Sequence, residues 1–157
     1  MTSVLFVCLG NICRSPAAEG VLKQMIAKEQ RLKDMQIQSC GMGSWHTGQL
    51  PDERMRMAAK HRGLDLISRA QVFHPKFLEE YDYIFAADRE VLELLYQYAK
   101  HPAHKAKIQL ITKYSTCYPN EEIPDPFYQG DAAFDHVLNM IEDACEGFIL
   151  HLKENKS

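Results

Sequence analysis

Val4-Leu5-Phe6-Val7-Cys8-Leu9-Gly10-Asn11-Ile12-Cys13-Arg14-Ser15-Pro16 runs from an apolar strand through a short loop into a helix. Ser3 to Val7 is a short, nearly continuous apolar run rich in β-formers, the pattern of a strand buried on both faces. Cys8 stands at its carboxyl end. From Pro16 to Glu29, Ala17, Val21 and Met25, together with Ala18, Leu22 and Ile26, recur at helical spacing. Ser15 is placed to cap this helix and Pro16 to serve as its first residue. In open α/β sheets ligands bind outside the carboxyl ends of the strands, so the Cys8 loop is the first place to look for a site.

Outward from this unit the same alternation continues. Met35 to Ser39, Tyr81 to Ala87 and Lys107 to Ile111 read as further strands. Helical patterns cover Pro51 to His61, with Gly63 as terminator, and Asp88 to Tyr98, capped by Asp88; a shorter turn is expected over Pro75 to Glu80. The last helix, Asp131 to Lys153, is the clearest, because Phe134, Val137, Leu138, Ile141, Ala144, Cys145, Phe148, Ile149 and Leu152 keep one face apolar. Strands alternating with helices predict an α/β fold: a three-layer sandwich with a central parallel sheet of about four strands and helices on both faces.

Composition narrows the function classes. The chain has 157 residues, 46% hydrophobic and 25% charged, with no repeat or linker-like tract, so residues 1–157 are expected to form a single domain. The formal charge is -3 and no basic run occurs, which argues against nucleic acid or a membrane surface as partner. No apolar stretch is long enough to span a bilayer, and the start of the chain has no basic segment before its apolar run; a cytoplasmic protein is expected. The five cysteines are Cys8, Cys13, Cys40, Cys117 and Cys145, an odd number that suggests free thiols in a reducing compartment. No Cys/His spacing suits zinc, no Gly-rich loop ends in a Walker Lys, and neither metal nor cofactor is expected. The seven histidines read as surface or satisfied residues.

The Cys8 loop is suited to a tetrahedral oxyanion. Free N–H groups of the loop and of the first helical turn would converge on one point, with Gly10 and Asn11 available for left-handed backbone angles. Arg14 adds a planar fork that grips two phosphate oxygens. The same groups favour a Cys8 thiolate over the thiol, which makes Cys8 a nucleophile aimed at phosphorus.

Cys8-x5-Arg14-Ser15, its fuller string from Cys8 to Pro16, Pro51-Asp52-x-Arg54 and the distant Asp125-Pro126-Phe127-Tyr128 together resemble the low-molecular-weight protein tyrosine phosphatase family over nearly the whole chain. The resemblance implies a flavodoxin-like topology and a reaction in which Cys8 attacks phosphorus while Asp125 protonates the leaving phenolate. Water activated by Asp125 then hydrolyses the phosphocysteine. Arg14 and the loop residues Leu9, Gly10, Asn11, Ile12, Cys13, Arg14 and Ser15 would bind the phosphate, or inhibitory phosphate and vanadate. Ser15 either caps the helix or donates to the Cys8 sulfur; Asn11 either braces the loop through Ser39 or simply tolerates positive φ. Cys8 and Cys13 would form a reversible disulfide. Relatives often carry His and Arg where this chain has Ser68 and Gln71, which leaves part of the loop's support open.

Leu9, Ile12, Trp45, Phe127 and Tyr128 are the expected walls of the substrate slot. A deep apolar slot admits an aryl phosphate and stops a phosphoserine short of Cys8, so tyrosine-phosphorylated proteins and small aryl phosphates are the expected partners. Trp45 is expected at an exposed rim. Asp88 is explained as a helix cap without a catalytic role. Arsenate reductases, protein arginine phosphatases and a phosphotyrosine-binding module without turnover are the alternatives. The cysteine relay of a reductase has no counterpart here, Ile12 stands where arginine phosphatases tend to have Thr, and a mere binder has no need of both nucleophile and acid.

Overall fold

A computed structural model of the chain describes residues 1–32 and 34–155. Its sheet contains β1 (Thr2–Cys8), β2 (Met35–Gly41), β3 (Tyr83–Ala86) and β4 (Ile108–Leu110), all parallel, in the order β2-β1-β3-β4. From β1 the chain passes to β2 on one side and later to β3 on the other. The order therefore reverses beside β1, and Cys8 lies at that switch point, paired in register with Gly41.

Side chains alternate along β1 as a strand requires: Val4, Phe6 and Cys8 enter one apolar core, Leu5 and Val7 the other. α1 (Arg14–Ile26), α2 (Glu53–Lys60) and α6 (Asp131–Glu154) contribute to the first core. α3 (Phe77–Glu80) and α4 (Arg89–Tyr98) cover the second through Leu78, Val91 and Leu95. This is the α/β sandwich that the alternating pattern predicted. α6 buries every apolar residue named for it in the sequence, and its Gly147 is required by packing, since a Cβ there would meet the Tyr114 carbonyl.

The differences lie at element ends. α1 begins at Arg14, so Ser15 is inside the helix and not its cap; Cys13 takes the cap position with no side-chain hydrogen bond. The loop's hydrogen bonds explain the early start, because Cys13 O already accepts from Ala17 N. α2 begins after Pro51, with Asp52 accepting from Arg54 N. α5 (Pro102–Lys107) lies where the pattern assigns no helix, and it ends on Lys107, expected to open a strand; it buries no side chain, so no periodicity announces it. Asp88 caps α4 as expected, accepting from Val91 N. Of the two residues suited to left-handed angles, Asn11 takes that conformation, at φ 57°, and Gly10 does not.

Candidate active site

The loop between β1 and α1 is tied down along its backbone. Met42 N donates to Cys8 O (3.0 Å), Gly43 N to Leu9 O (2.9 Å) and Asp52 N to Ile12 O (2.7 Å). The end of β2 presses against it so closely that a Cβ on Gly41 would lie 2.9 Å from Asn11 N, Gly10 C and Leu9 O. The left-handed turn at Asn11 points its N–H at Cys8 Sγ, 3.2 Å away. Ser15 Oγ approaches the same sulfur at 2.9 Å from the first turn of α1.

Behind the loop is a buried polar network. Asn11 Nδ2 donates to Ser15 Oγ (2.7 Å) and Ser39 Oγ (3.0 Å), which links the loop to the end of β2. An Asn hydrogen on Ser15 Oγ leaves that hydroxyl's own proton for Cys8 Sγ or the more distant Cys40 O at 3.3 Å. Ser39 Oγ in turn donates to the buried Glu19 Oε1 (2.6 Å), whose other oxygen pairs with Lys23. Gln71 closes the network: its N–H donates to Asn11 Oδ1 (2.9 Å) and its Nε2 to Ser39 O (2.9 Å). The support left open by Ser68 and Gln71 is thus supplied at Gln71 itself, while Ser68 lines a cleft beside Glu19.

Arg14 is 2% exposed, and its guanidinium is hydrogen-bonded to two oxygens and faces a third. Nη1 donates to Asp88 Oδ2 (2.6 Å) and Ile123 O (2.8 Å), and Nη2 lies 3.8 Å from Asp125 Oδ2. Burial opposes the charge, but Cys8, Asp88 and Asp125 outweigh that opposition and hold Arg14 firmly protonated. The capping residue Asp88 therefore has a second task that sequence reasoning missed: one oxygen caps α4 while the other orients Arg14. Nothing in the local sequence signals this, because the two residues meet only across the sheet edge.

Asp125 stands at the mouth of the site, 45% exposed, with Oδ1 accepting from Phe127 N at 3.1 Å. Between it and the loop opens a cavity of about 330 Å³, lined by Cys8, Leu9, Gly10, Ile12, Cys13, Arg14, Trp45, Asp125, Phe127 and Tyr128. It also includes His46, one of the histidines expected to be surface or satisfied residues with no part in the site; its ring lies 6.4 Å from that of Phe127 and packs over Gly10. Trp45 and Tyr128 are 66% and 91% exposed, so they form a rim. Every residue named for the slot meets here, and Ser15, Ser39 and Asn11 lie behind it. Burial chiefly, with the nearby carboxylates and Cys8, pushes the Cys13 thiol up. All five cysteines are free, and among the described residues no cluster of three or more His, Cys, Asp or Glu is placed to hold a metal ion. Chemically this is an anion cup with a sulfur at its base, a fixed cation at its side and a carboxyl group at its opening.

The comparisons agree on one family. The sequence model of the low molecular weight phosphotyrosine protein phosphatases matches residues 3–157. A putative low molecular weight protein-tyrosine-phosphatase from Synechocystis is 38% identical over 151 residues, covering 95% of each chain. The crystal structure of a protein tyrosine phosphatase from Entamoeba histolytica, with Hepes in its active site, superposes with a TM-score of 0.94 at 38% identity over 100% of both chains. A Drosophila arginine phosphatase superposes with a TM-score of 0.88 at 36% identity, covering 98% of each chain. With a match along nearly its full length and a parallel sheet that carries the Cys8 loop at its switch point, this chain belongs to the low molecular weight phosphotyrosine protein phosphatase family, a family of hydrolases.

Proposed function

We propose that this chain, acting as one domain over residues 1–157, hydrolyses phosphotyrosine in proteins and small aryl phosphates through a phosphocysteine intermediate. The observation that carries this reading is the convergence of Cys8, Arg14 and Asp125 on one cavity with aromatic walls. Cys8 Sγ attacks phosphorus, the P–O bond to the phenol breaks, and Asp125 delivers its proton to the departing oxygen. Water then attacks the phosphocysteine, Asp125 takes the proton back, and inorganic phosphate leaves. Arg14 and the loop N–H groups bind the equatorial oxygens without rearranging during the reaction. The Ser15 hydroxyl, 2.9 Å from Cys8 Sγ, stabilises the thiolate as it leaves phosphorus.

Leu9, Ile12, Trp45, Phe127 and Tyr128 receive the aryl ring, and free phosphate or vanadate competes for the loop. Peroxide oxidises the Cys8 thiolate to a sulfenic acid with release of hydroxide; the Cys13 thiol then attacks the Cys8 sulfur, the S–O bond breaks, and a disulfide and water result. Five unpaired cysteines suit a reducing compartment such as the cytoplasm. Among the described residues no helix is long and apolar enough to cross a membrane.

The test is burst-phase hydrolysis of an aryl phosphate in reductant without added metal, comparing the native chain with Cys8→Ser. Phosphotyrosine, phosphoserine and phosphoarginine peptides are then offered side by side. A burst lost in Cys8→Ser, with phosphotyrosine preferred, is expected. Turnover retained by Cys8→Ser would remove the nucleophile, and a preference for phosphoarginine would move this chain toward the activity named for the Drosophila neighbour.

A further inference from the structure

Arg54 lines no part of the cavity, yet it joins the two halves of the site. Asp52 N is fastened to the loop at Ile12 O (2.7 Å), and the Asp52 carboxylate takes a two-point contact from Arg54: Nε to Oδ1 at 3.1 Å, Nη2 to Oδ2 at 3.0 Å. The same Nη2 donates to Phe127 O at 2.8 Å. Phe127 N in turn donates to Asp125 Oδ1. The guanidinium plane also packs on two rings, 5.3 Å from the centroid of Phe127 and 4.7 Å from that of Phe134 on α6. One chain of contacts therefore runs from the Cys8 loop through Asp52 and Arg54 to the carboxyl group at the opening.

We propose that Arg54 is a positioning residue that sets the aim of Asp125, by holding Phe127 through its carbonyl and its ring, so that the N–H of the same residue orients that carboxyl group. The segment from Ile123 to Gly130 contains neither helix nor strand and Asp125 is 45% exposed, so its carboxyl group is oriented by the Phe127 N–H on one oxygen and by Arg14, 3.8 Å from the other. Only a planar fork can meet a carboxylate edge-on, donate to a carbonyl and lie on two rings at once. A lysine in its place would supply the charge alone. The inference rests on Asp125 being the general acid, and the test separates the two.

A general acid matters most when the leaving phenol is a poor one. The rate constant kcat/KM is measured for a series of aryl phosphates spanning leaving groups from good to poor, for the native chain, Asp125→Asn, Arg54→Ala, Arg54→Lys and Arg54→Ala with Asp125→Asn. The native chain is expected to depend weakly on the leaving group and Asp125→Asn steeply. Both Arg54 variants are expected to lose about 10- to 100-fold with the poorest leaving group and under about 3-fold with the best, a partial loss of the roughly 100- to 10,000-fold that a general acid supplies. The double variant should lose no more than Asp125→Asn alone, and inhibition by inorganic phosphate should be unchanged in Arg54→Lys, because the Cys8 loop itself is untouched. A weak dependence in Asp125→Asn would overturn the acid assignment. A steep one there, with a uniform loss or none in Arg54→Lys, would overturn the role of Arg54 even if Arg54→Ala fails to fold.

Discussion

Arg14 shows how far a single residue can be read. Its charge and fork were legible from Cys8-x5-Arg14, since a guanidinium next to a helix start is chemically suited to a phosphate-like anion. That it is held by Asp88, 74 residues away, was not legible, because the sequence explained Asp88 completely as the cap of α4. The prediction at this scale is that Asp88→Asn, which keeps the shape and a capping oxygen, lowers kcat/KM for aryl phosphates by about 10-fold, the cost of weakening one charge-assisted hydrogen bond of ~1.5 kcal/mol. Phosphate inhibition should weaken in parallel while thermal stability changes little. Unchanged inhibition would mean that Ile123 O alone suffices to aim Arg14. Ser15 teaches the same lesson in reverse. The sequence left open whether it caps a helix or faces the sulfur; Cys13 holds the cap position, and Ser15 Oγ lies 2.9 Å from Cys8 Sγ.

Elements were legible where one face is apolar and illegible where none is. β1 and α6 carry their burial in their composition, whereas α5 buries no side chain and left no trace beyond Pro102 at its start. The meeting of two elements is harder still. The end of β2 supports the Cys8 loop from a distance that excludes any side chain at Gly41, and a glycine closing a strand has no signature that announces such a contact. Gly41→Ala must push the loop at Leu9 to Asn11. A displacement approaching 1 Å costs on the order of 100-fold in rate, so kcat/KM should fall by about 10- to 100-fold with phosphate affinity reduced as well. A fully active Gly41→Ala chain would show that the loop yields without losing its geometry. Gln71 belongs to this scale too: its contacts to Asn11 and Ser39 involve its own backbone N–H and a backbone carbonyl, which residue types at a distance could not foretell.

Across the whole molecule, acid should loosen the fold through carboxylates held ionised. Burial pushes the Asp143 carboxyl up, but hydrogen bonds from the Ser115 hydroxyl and from Cys117 outweigh it and leave the group below its ordinary value of 3.8. A group lowered in the folded state contributes stability that is present above its unfolded value and is lost as pH falls through the folded one. The urea midpoint should therefore drop as pH falls below about 4, the unfolded range of aspartate, and Asp143→Asn should lower the midpoint at neutral pH while making it less sensitive to acid. An equal acid sensitivity in both proteins would remove Asp143 from that account. The sequence by itself determined the alternation of strands and helices, the apolar faces, the Cys8 loop and the chemical types gathered around it. Those properties are local, written in periodicity and in the run from Cys8 to Pro16. Only the tertiary structure decided that Asp88 aims Arg14, that Gln71 and Gly41 support the loop, that His46 enters the cavity wall and that Arg54 ties the loop to Asp125. Each of those is a contact between residues far apart in the chain, and the strand order and loop placement that bring them together are set by packing on both faces of the sheet, not by any short stretch of residues.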